Sequence, residues 1–133
     1  EEPVGLAVSP VNNAIFVADT WNQRVQVFEQ STVVDSLYIS STVWDIDGWF
    51  GQSLENKPFL TIDELNNVIV ADPENARVLM FTSEGTFIGY FGEYDRYGDT
   101  GFGVISGLDA DGMGGIWVAD SAKNELKYFL LPR

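Results

Sequence analysis

Twenty carboxylates, seven basic side chains and no histidine or cysteine define the chemistry open to this chain of 133 residues. Zinc sites of the usual His/Cys kind and triads built on a histidine base are therefore excluded. Asp109-Ala110-Asp111-Gly112 and Asp45-Ile46-Asp47-Gly48 carry spaced carboxylates, as calcium loops do. Neither continues to the further ligands and terminal Glu of an EF-hand loop. Ordinary turn chemistry is their first reading, with a bound calcium as the remaining option; no other cofactor is expected. Paired carboxylates also run acid–base chemistry on glycosides. Here the acids are scattered through so many turns that no pair stands out. The pairs Asp19/Arg24 and Asp72/Arg77 read as structural: each Asp ends a strand by accepting turn amides, and each Arg returns to it. No catalytic set emerges.

The formal net charge of −13 repels phosphate backbones, so nucleic acid is not an expected partner, whereas cations and basic partners are attracted. Hydrophobic content of 45% separates the chain from disordered acidic tails. No apolar run approaches the roughly 18–20 residues of a membrane-spanning helix, so this segment is not expected to insert. Lack of cysteine leaves the redox compartment open. The chain opens at Glu1-Glu2-Pro3, with neither Met nor a leader, and is expected to be a processed or excised piece of something longer.

The elements that must position these residues are written as a repeat. Phe16–Phe28 recurs as Ile69–Phe81 and, less faithfully, as Trp117–Phe129. The anchoring Asp residues at 19, 72 and 120 lie 53 and 48 residues apart, a period of solenoids, propellers and arrays. Each copy starts with a short apolar segment (Gly5–Val8, Phe59–Ile62, Gly107–Asp109). A turn rich in Asn, Asp and Gly follows, and then an almost wholly apolar run (Ala14–Ala18, Val68–Ala71, Ile116–Ala119). Such a run predicts a strand covered on both faces. The third segments, Val25–Phe28 and Val78–Phe81, predict strands nearer the periphery. A fourth strand is expected over Gly85–Gly92, two candidates over Val33–Ile39 and Thr42–Ile46, and none in copy three. No helical period persists. Four antiparallel strands per copy, stacked radially, make a β-propeller blade.

The sequence resembles the NHL-repeat family. The resemblance rests on Pro3-x-Gly5-Leu6-Ala7-Val8, on the Val-Ala-Asp triplets at 17–19, 70–72 and 118–120, and on Asp-x-x-Asn-x-Arg-Val. That last pattern is complete at Asp19/Asn22/Arg24/Val25 and Asp72/Asn75/Arg77/Val78. Residues 49–58 are also similar to NHL segments appended to large bacterial membrane proteins. The resemblance implies an all-β fold: a propeller segment of three four-stranded blades, about 3–50, 58–92 and 104–131, spanning 1–133. The last blade lacks its outer strand. Three blades are half of a six-bladed ring, the remainder supplied by a longer chain or by a homodimer. Copy three departs from the pattern, with Lys123 at the Asn position and Glu125 at the Arg position, so its end is expected to be looser or adapted to a contact.

Propellers of this family generally serve as binding platforms. The expected function is a non-enzymatic binding or scaffold module, extracytoplasmic or at the cell surface, for a protein or small ligand. The alternative is half of a calcium-dependent hydrolase or lyase whose site forms only in a complete ring. The lyase type relies on His ligands that this chain lacks, whereas lactonase-type calcium sites draw Glu, Asn and Asp from several blades. The candidate binding face comprises Trp21 and Asn22 between the second and third strands of copy one, Trp49 and Phe50 in the first connection, and Tyr94, Tyr97 and Phe102 in the second. Antiparallel alternation puts these loops at one end of the propeller, where exposed aromatics serve recognition. The competing reading is that they plug the gaps between blades.

Overall fold

A computed structural model describes residues 5–46, 49 and 59–131. Among these described residues eleven strands form three antiparallel sheets in simple up-and-down order. The first holds β1 (Gly5–Val8), β2 (Ile15–Asp19), β3 (Arg24–Gln30) and β4 (Tyr38–Asp45). The second holds β5 (Leu60–Ile62), β6 (Val68–Asp72), β7 (Arg77–Phe81) and β8 (Phe87–Phe91). The third holds β9 (Ile105–Ala110), β10 (Gly115–Asp120) and β11 (Glu125–Leu130), with β11 at its outer edge. Among the described residues there is no α-helix, and no helix long and apolar enough to cross a membrane.

The repeat fixes the register. Asp19 pairs with Arg24, Asp72 with Arg77 and Asp120 with Glu125 at the same end of each sheet. Because side chains alternate along a strand, the even positions of β2 face one way and the odd positions the other. Phe16 and Ala18, with Val25 and Val27 of β3, pack against Val68, Val70, Leu79 and Phe81 of the second sheet. The opposite face of that sheet presents Ile69, Ala71, Val78 and Met80 to Ile105, Ile116 and Val118 of the third. The second sheet is thus covered on both faces, and β6 is buried along its whole length.

One local expectation needs correction. Residues 31–37 form a turn and no strand: the Ser31 amide donates to Leu37 O at 2.6 Å, while Ser31 Oγ accepts the amides of Val33 and Val34. A hydroxyl that caps its own neighbours offers the backbone a local alternative to the sheet. The single outer strand β4 begins only at Tyr38. Between the second and third strands the chain also makes short 3-10 turns, Thr20–Asn22 and Pro73–Asn75, each ended by a left-handed residue, Gln23 or Ala76.

Candidate functional site

Each of these turns is built around the Asp that ends the preceding strand. Asn22 Nδ2 donates to both Asp19 oxygens at 3.1 and 3.2 Å, Arg24 Nε to Oδ2 at 2.7 Å, and Gln26 Nε2 to Oδ2 at 2.9 Å. Burial alone pushes the Asp19 carboxyl up, but the bonds from Arg24, Asn22 and Gln26 outweigh it and hold it below its ordinary value. Asp72 receives Asn75 Nδ2 at 2.9 Å and Arg77 Nε at 2.7 Å. A carboxylate filled by its own turn is a structural lock.

The third turn solves the same problem with different donors. Lys123 and Glu125 cannot serve Asp120 as Asn and Arg do. The buried Asp120 carboxylate instead accepts the backbone amides of Gly103 at 2.8 Å, Val104 at 3.1 Å and Lys123 at 3.2 Å. Burial raises its pKa, and these amides, with that of Ala122, bring it below the ordinary carboxylate range. The end expected to be looser or adapted to a contact is tied to the connection that precedes it.

That connection, residues 93–103, is fastened from three sides. Glu93 O accepts the Phe102 amide at 2.9 Å and Phe102 O accepts the Asp95 amide at 3.0 Å. Asp95 accepts the Gly98 amide at 2.8 Å and both the amide and hydroxyl of Thr100. Bonds from the Thr100 amide and hydroxyl lead the causes that hold its carboxyl below the usual value. Lys123 Nζ donates to Gly98 O at 2.6 Å and Gly101 O at 2.9 Å, and Lys127 Nζ to Gly101 O at 2.7 Å. Two ammonium groups, strong donors with no acceptor of their own, thus supply hydrogen bonds to loop carbonyls. On this frame Tyr94 is 67% and Tyr97 92% exposed, with the Arg96 guanidinium 5.9 Å from the Tyr97 ring. Trp21, on the first turn, is 62% exposed.

The other expected face residues are placed differently. Trp49 is 2% exposed; its indole nitrogen donates to Ala71 O at 3.1 Å and its ring joins the core between the first two sheets. Phe102, also 2% exposed, packs on Phe91 and Phe129 at ring separations of 6.4 and 5.8 Å. Both rings plug the seam between neighbouring sheets, where apolar area leaves water, so neither contributes to an exposed face. Gly92, at φ +106°, sits where a β-carbon would come within 2.7 Å of the Phe102 ring. Phe50 lies outside the described residues. Asn22 is committed to Asp19. Of the expected aromatic residues that the structure describes, Trp21, Tyr94 and Tyr97 remain exposed. Lys123 and Lys127 were not among the expected site residues; the one signal was a Lys standing where the repeat has Asn.

Of the four spaced carboxylates, one is held within its own sheet. Asp111 accepts the Tyr128 hydroxyl and the amides of Met113 and Gly115, which hold its carboxyl low while Tyr128 is pushed up. Asp45 and Asp109 are exposed, and Asp47 lies outside the described residues. Among the described residues no three His, Cys, Asp or Glu side chains gather as metal ligands. At the inner edge of the stack, β1, β5 and β9 are neighbours. They line an open cavity of about 480 Å³ bordered by Leu6, Val8, Thr61, Asp109 and Asp111.

Meander sheets stacked face to face, ended by the same Asp-centred turn, are the parts of a propeller. Residues 1–28 match the family model of the NHL repeat. That stretch is similar to an NHL repeat. Among solved structures, one titled "Streptogramin B lyase structure", a β-propeller, is similar in fold, with a TM-score of 0.57 at 13% identity. That match covers 98% of this chain and 41% of the other, so this chain spans less than half of that propeller's length. No curated protein matches. At such identity the likeness speaks for the fold alone: antiparallel, propeller-like sheets.

Proposed function

We propose that the chain is a non-enzymatic binding or scaffold module, three blades of a larger NHL-type ring, and that it meets its partner through the end bearing Trp21, Tyr94 and Tyr97. The observation that carries this reading is the fastened 93–103 connection. Two of the seven basic residues, Lys123 and Lys127, hold its carbonyls while leaving two tyrosines in water. Rigid exposed tyrosines offer large amphipathic contact area at low entropic cost, which favours their use in recognition. The net charge of −13 favours partners with basic surfaces. The other blades come from a longer chain or from a second copy of this one, the first being preferred.

Two-dimensional NMR of the isotope-labelled chain against a panel of oligosaccharides and of basic and neutral peptides tests the proposal. Shifts clustered at 20–23 and 93–103, and lost in the Tyr94→Ser/Tyr97→Ser variant, are expected. Shifts confined to Thr61, Asp109 and Asp111, with calcium-dependent turnover in a lactone or ester panel, would replace it with the hydrolase reading.

A further inference from the structure

Beside the outer strands of the first two sheets lies a cavity of about 520 Å³. Its floor is one face of the second sheet, because Leu79 and Phe81 of β7 stand directly opposite Tyr90 and Phe87 of β8. Asp45, the last residue of β4, borders it from the first sheet. Both walls lie among the described strands, so the cavity needs no further blade to form. Its volume is that of small-molecule sites, which run from roughly 300 to 1,000 Å³.

The register gives this cavity two unlike ends. Arg77 opens β7 opposite Asp72, and Asp45 closes β4 opposite Arg24, so both charges stand at the end of the Asp-centred turns. Phe81, Phe87 and Gly85 stand at the other end, where a β-carbon on Gly85 would collide with the Trp44 ring. Between the two ends Tyr90 is 60% exposed, with the Arg77 guanidinium 5.5 Å from its ring centroid. Arg77 commits Nε to Asp72, yet its side chain keeps 28% of its surface in water. The Asp45 side chain is exposed and has no hydrogen bond or ion pair among the described residues. The joint between the second and third sheets does not repeat this pair of charges. There Gly92 stands in place of Asp45 and Glu125 in place of Arg77. The repeat itself therefore does not require Asp45.

We infer that this cavity binds a small aromatic zwitterion, an α-amino acid with a ring side chain. The ring lies on Phe87 and Tyr90, where offset or edge-on aromatic packing is favourable. The carboxylate meets the Arg77 guanidinium, whose planar array of donors suits an oxyanion, and the ammonium meets Asp45. A ligand with one charge alone leaves a repelling group beside it. A plain carboxylate faces Asp45, and a plain amine faces Arg77. The inference is independent of whether Tyr94 and Tyr97 bind a partner.

The test is a titration of the intact, isotope-labelled chain with L-phenylalanine at neutral pH, followed by two-dimensional NMR. Saturable shifts are expected at the amides of Asp45, Arg77, Gly85 and 87–90. Three trimmed probes should each bind at least roughly tenfold more weakly: L-alanine without the ring, 2-phenylethylamine without the carboxylate, and 3-phenylpropanoate without the ammonium. Asp45→Asn alters an exposed side chain. It should weaken L-phenylalanine at least roughly fivefold while leaving 3-phenylpropanoate unchanged or tighter, whereas a merely structural effect would weaken both alike. Tyr90→Ser, a second change at an exposed position, should weaken L-phenylalanine and leave L-alanine unchanged. Four results would overturn the inference. They are no saturable shift at 85–90, a trimmed probe as tight as L-phenylalanine, Asp45→Asn that spares L-phenylalanine or weakens both probes alike, and shifts centred at 20–23 and 93–103 instead. The last would give the amino acid to the tyrosine-bearing end.

Discussion

The second sheet and the two that flank it carry the same repeat, yet their strands meet water differently. β6 is buried at every position, whereas its counterpart β2 alternates between buried and half-buried residues, and β10 leaves Trp117 exposed. The residues that are core in the middle are surface at the ends. Leu60 and Ile62 are buried against the first sheet, but their equivalents Leu6 and Val8 are exposed. Val78 and Met80 are buried against the third sheet, but their equivalents Leu126 and Tyr128 are exposed. Burial here belongs to the stack and only indirectly to the unit, as expected for architectures stabilised by nearest-neighbour interfaces.

The largest expected effect breaks the comparison at the joint between the first two sheets. Trp44 packs on Phe81 and lies over the turn at Gly85. Trp44→Ala should cost about 3–5 kcal/mol, read by urea denaturation. The equivalent change at the joint between the second and third sheets, Phe91→Ala, should cost less, because Phe91 is only half-buried. Equal costs would mean that the two joints are energetically alike despite their burial. Next in size is Arg77→Ala, which leaves the buried Asp72 carboxylate with Asn75 as its remaining side-chain donor. About 2–3 kcal/mol is expected. Arg24→Ala should cost less, since Gln26 and Asn22 continue to serve Asp19.

Much of this contrast was written in the sequence, and part of it could not be. The β-branched runs at 68–71 and 116–119 and the Asp-centred turns identify the strands, because period and turn chemistry are local properties. The plugging role of Trp49 and Phe102 is not local. Both stand in polar connections, and only the seam beside them makes burial favourable. Lys123 reads as the loss of an Asn, yet its ammonium finds two loop carbonyls about two dozen residues away in sequence. Carbonyl acceptors belong to every residue type and leave no trace in a sequence. The turn at 31–37 is hidden because Val33, Val34 and Leu37 look like a strand until the Ser31 hydroxyl claims the amides of Val33 and Val34.

A matched pair sharpens the comparison at a single repeat position. Val17 and Val70 occupy the same place in the unit, the first half-buried and the second fully buried. Val70→Ala should cost about 2 kcal/mol and Val17→Ala less than about 1 kcal/mol, in proportion to the methyl groups removed from contact. If further blades cover the first sheet in the complete protein, the Val17→Ala cost should rise there toward that of Val70→Ala. A cost that stays low in the complete protein would show that no blade packs on that face.

The smallest expected effect compares the two kinds of Asp lock. Asp19 is held mainly by side-chain donors and Asp120 by backbone amides, and both carboxyls lie below their ordinary value. A carboxyl whose folded-state pKa is depressed contributes stability that is fully present above its unfolded-state value, about 4. That stability is lost as the pH falls through the lower folded-state value. Asp19→Asn and Asp120→Asn should therefore each flatten the fall of stability below pH 4, and each cost about 1 kcal/mol at neutral pH through weakened hydrogen bonds. Salt distinguishes the two. Arg24 is partly exposed, so 1 M NaCl should diminish the contribution of Asp19 by screening its guanidinium partner. The amides around Asp120 carry no net charge and are shielded by the 93–103 connection, so its acid step should persist in salt. Carboxylate titration by NMR at low and high salt checks both statements. An Asp120 step that vanished in salt would mean that Lys123 and Lys127 hold that carboxylate by charge, and that the third turn is locked in the same way as the first.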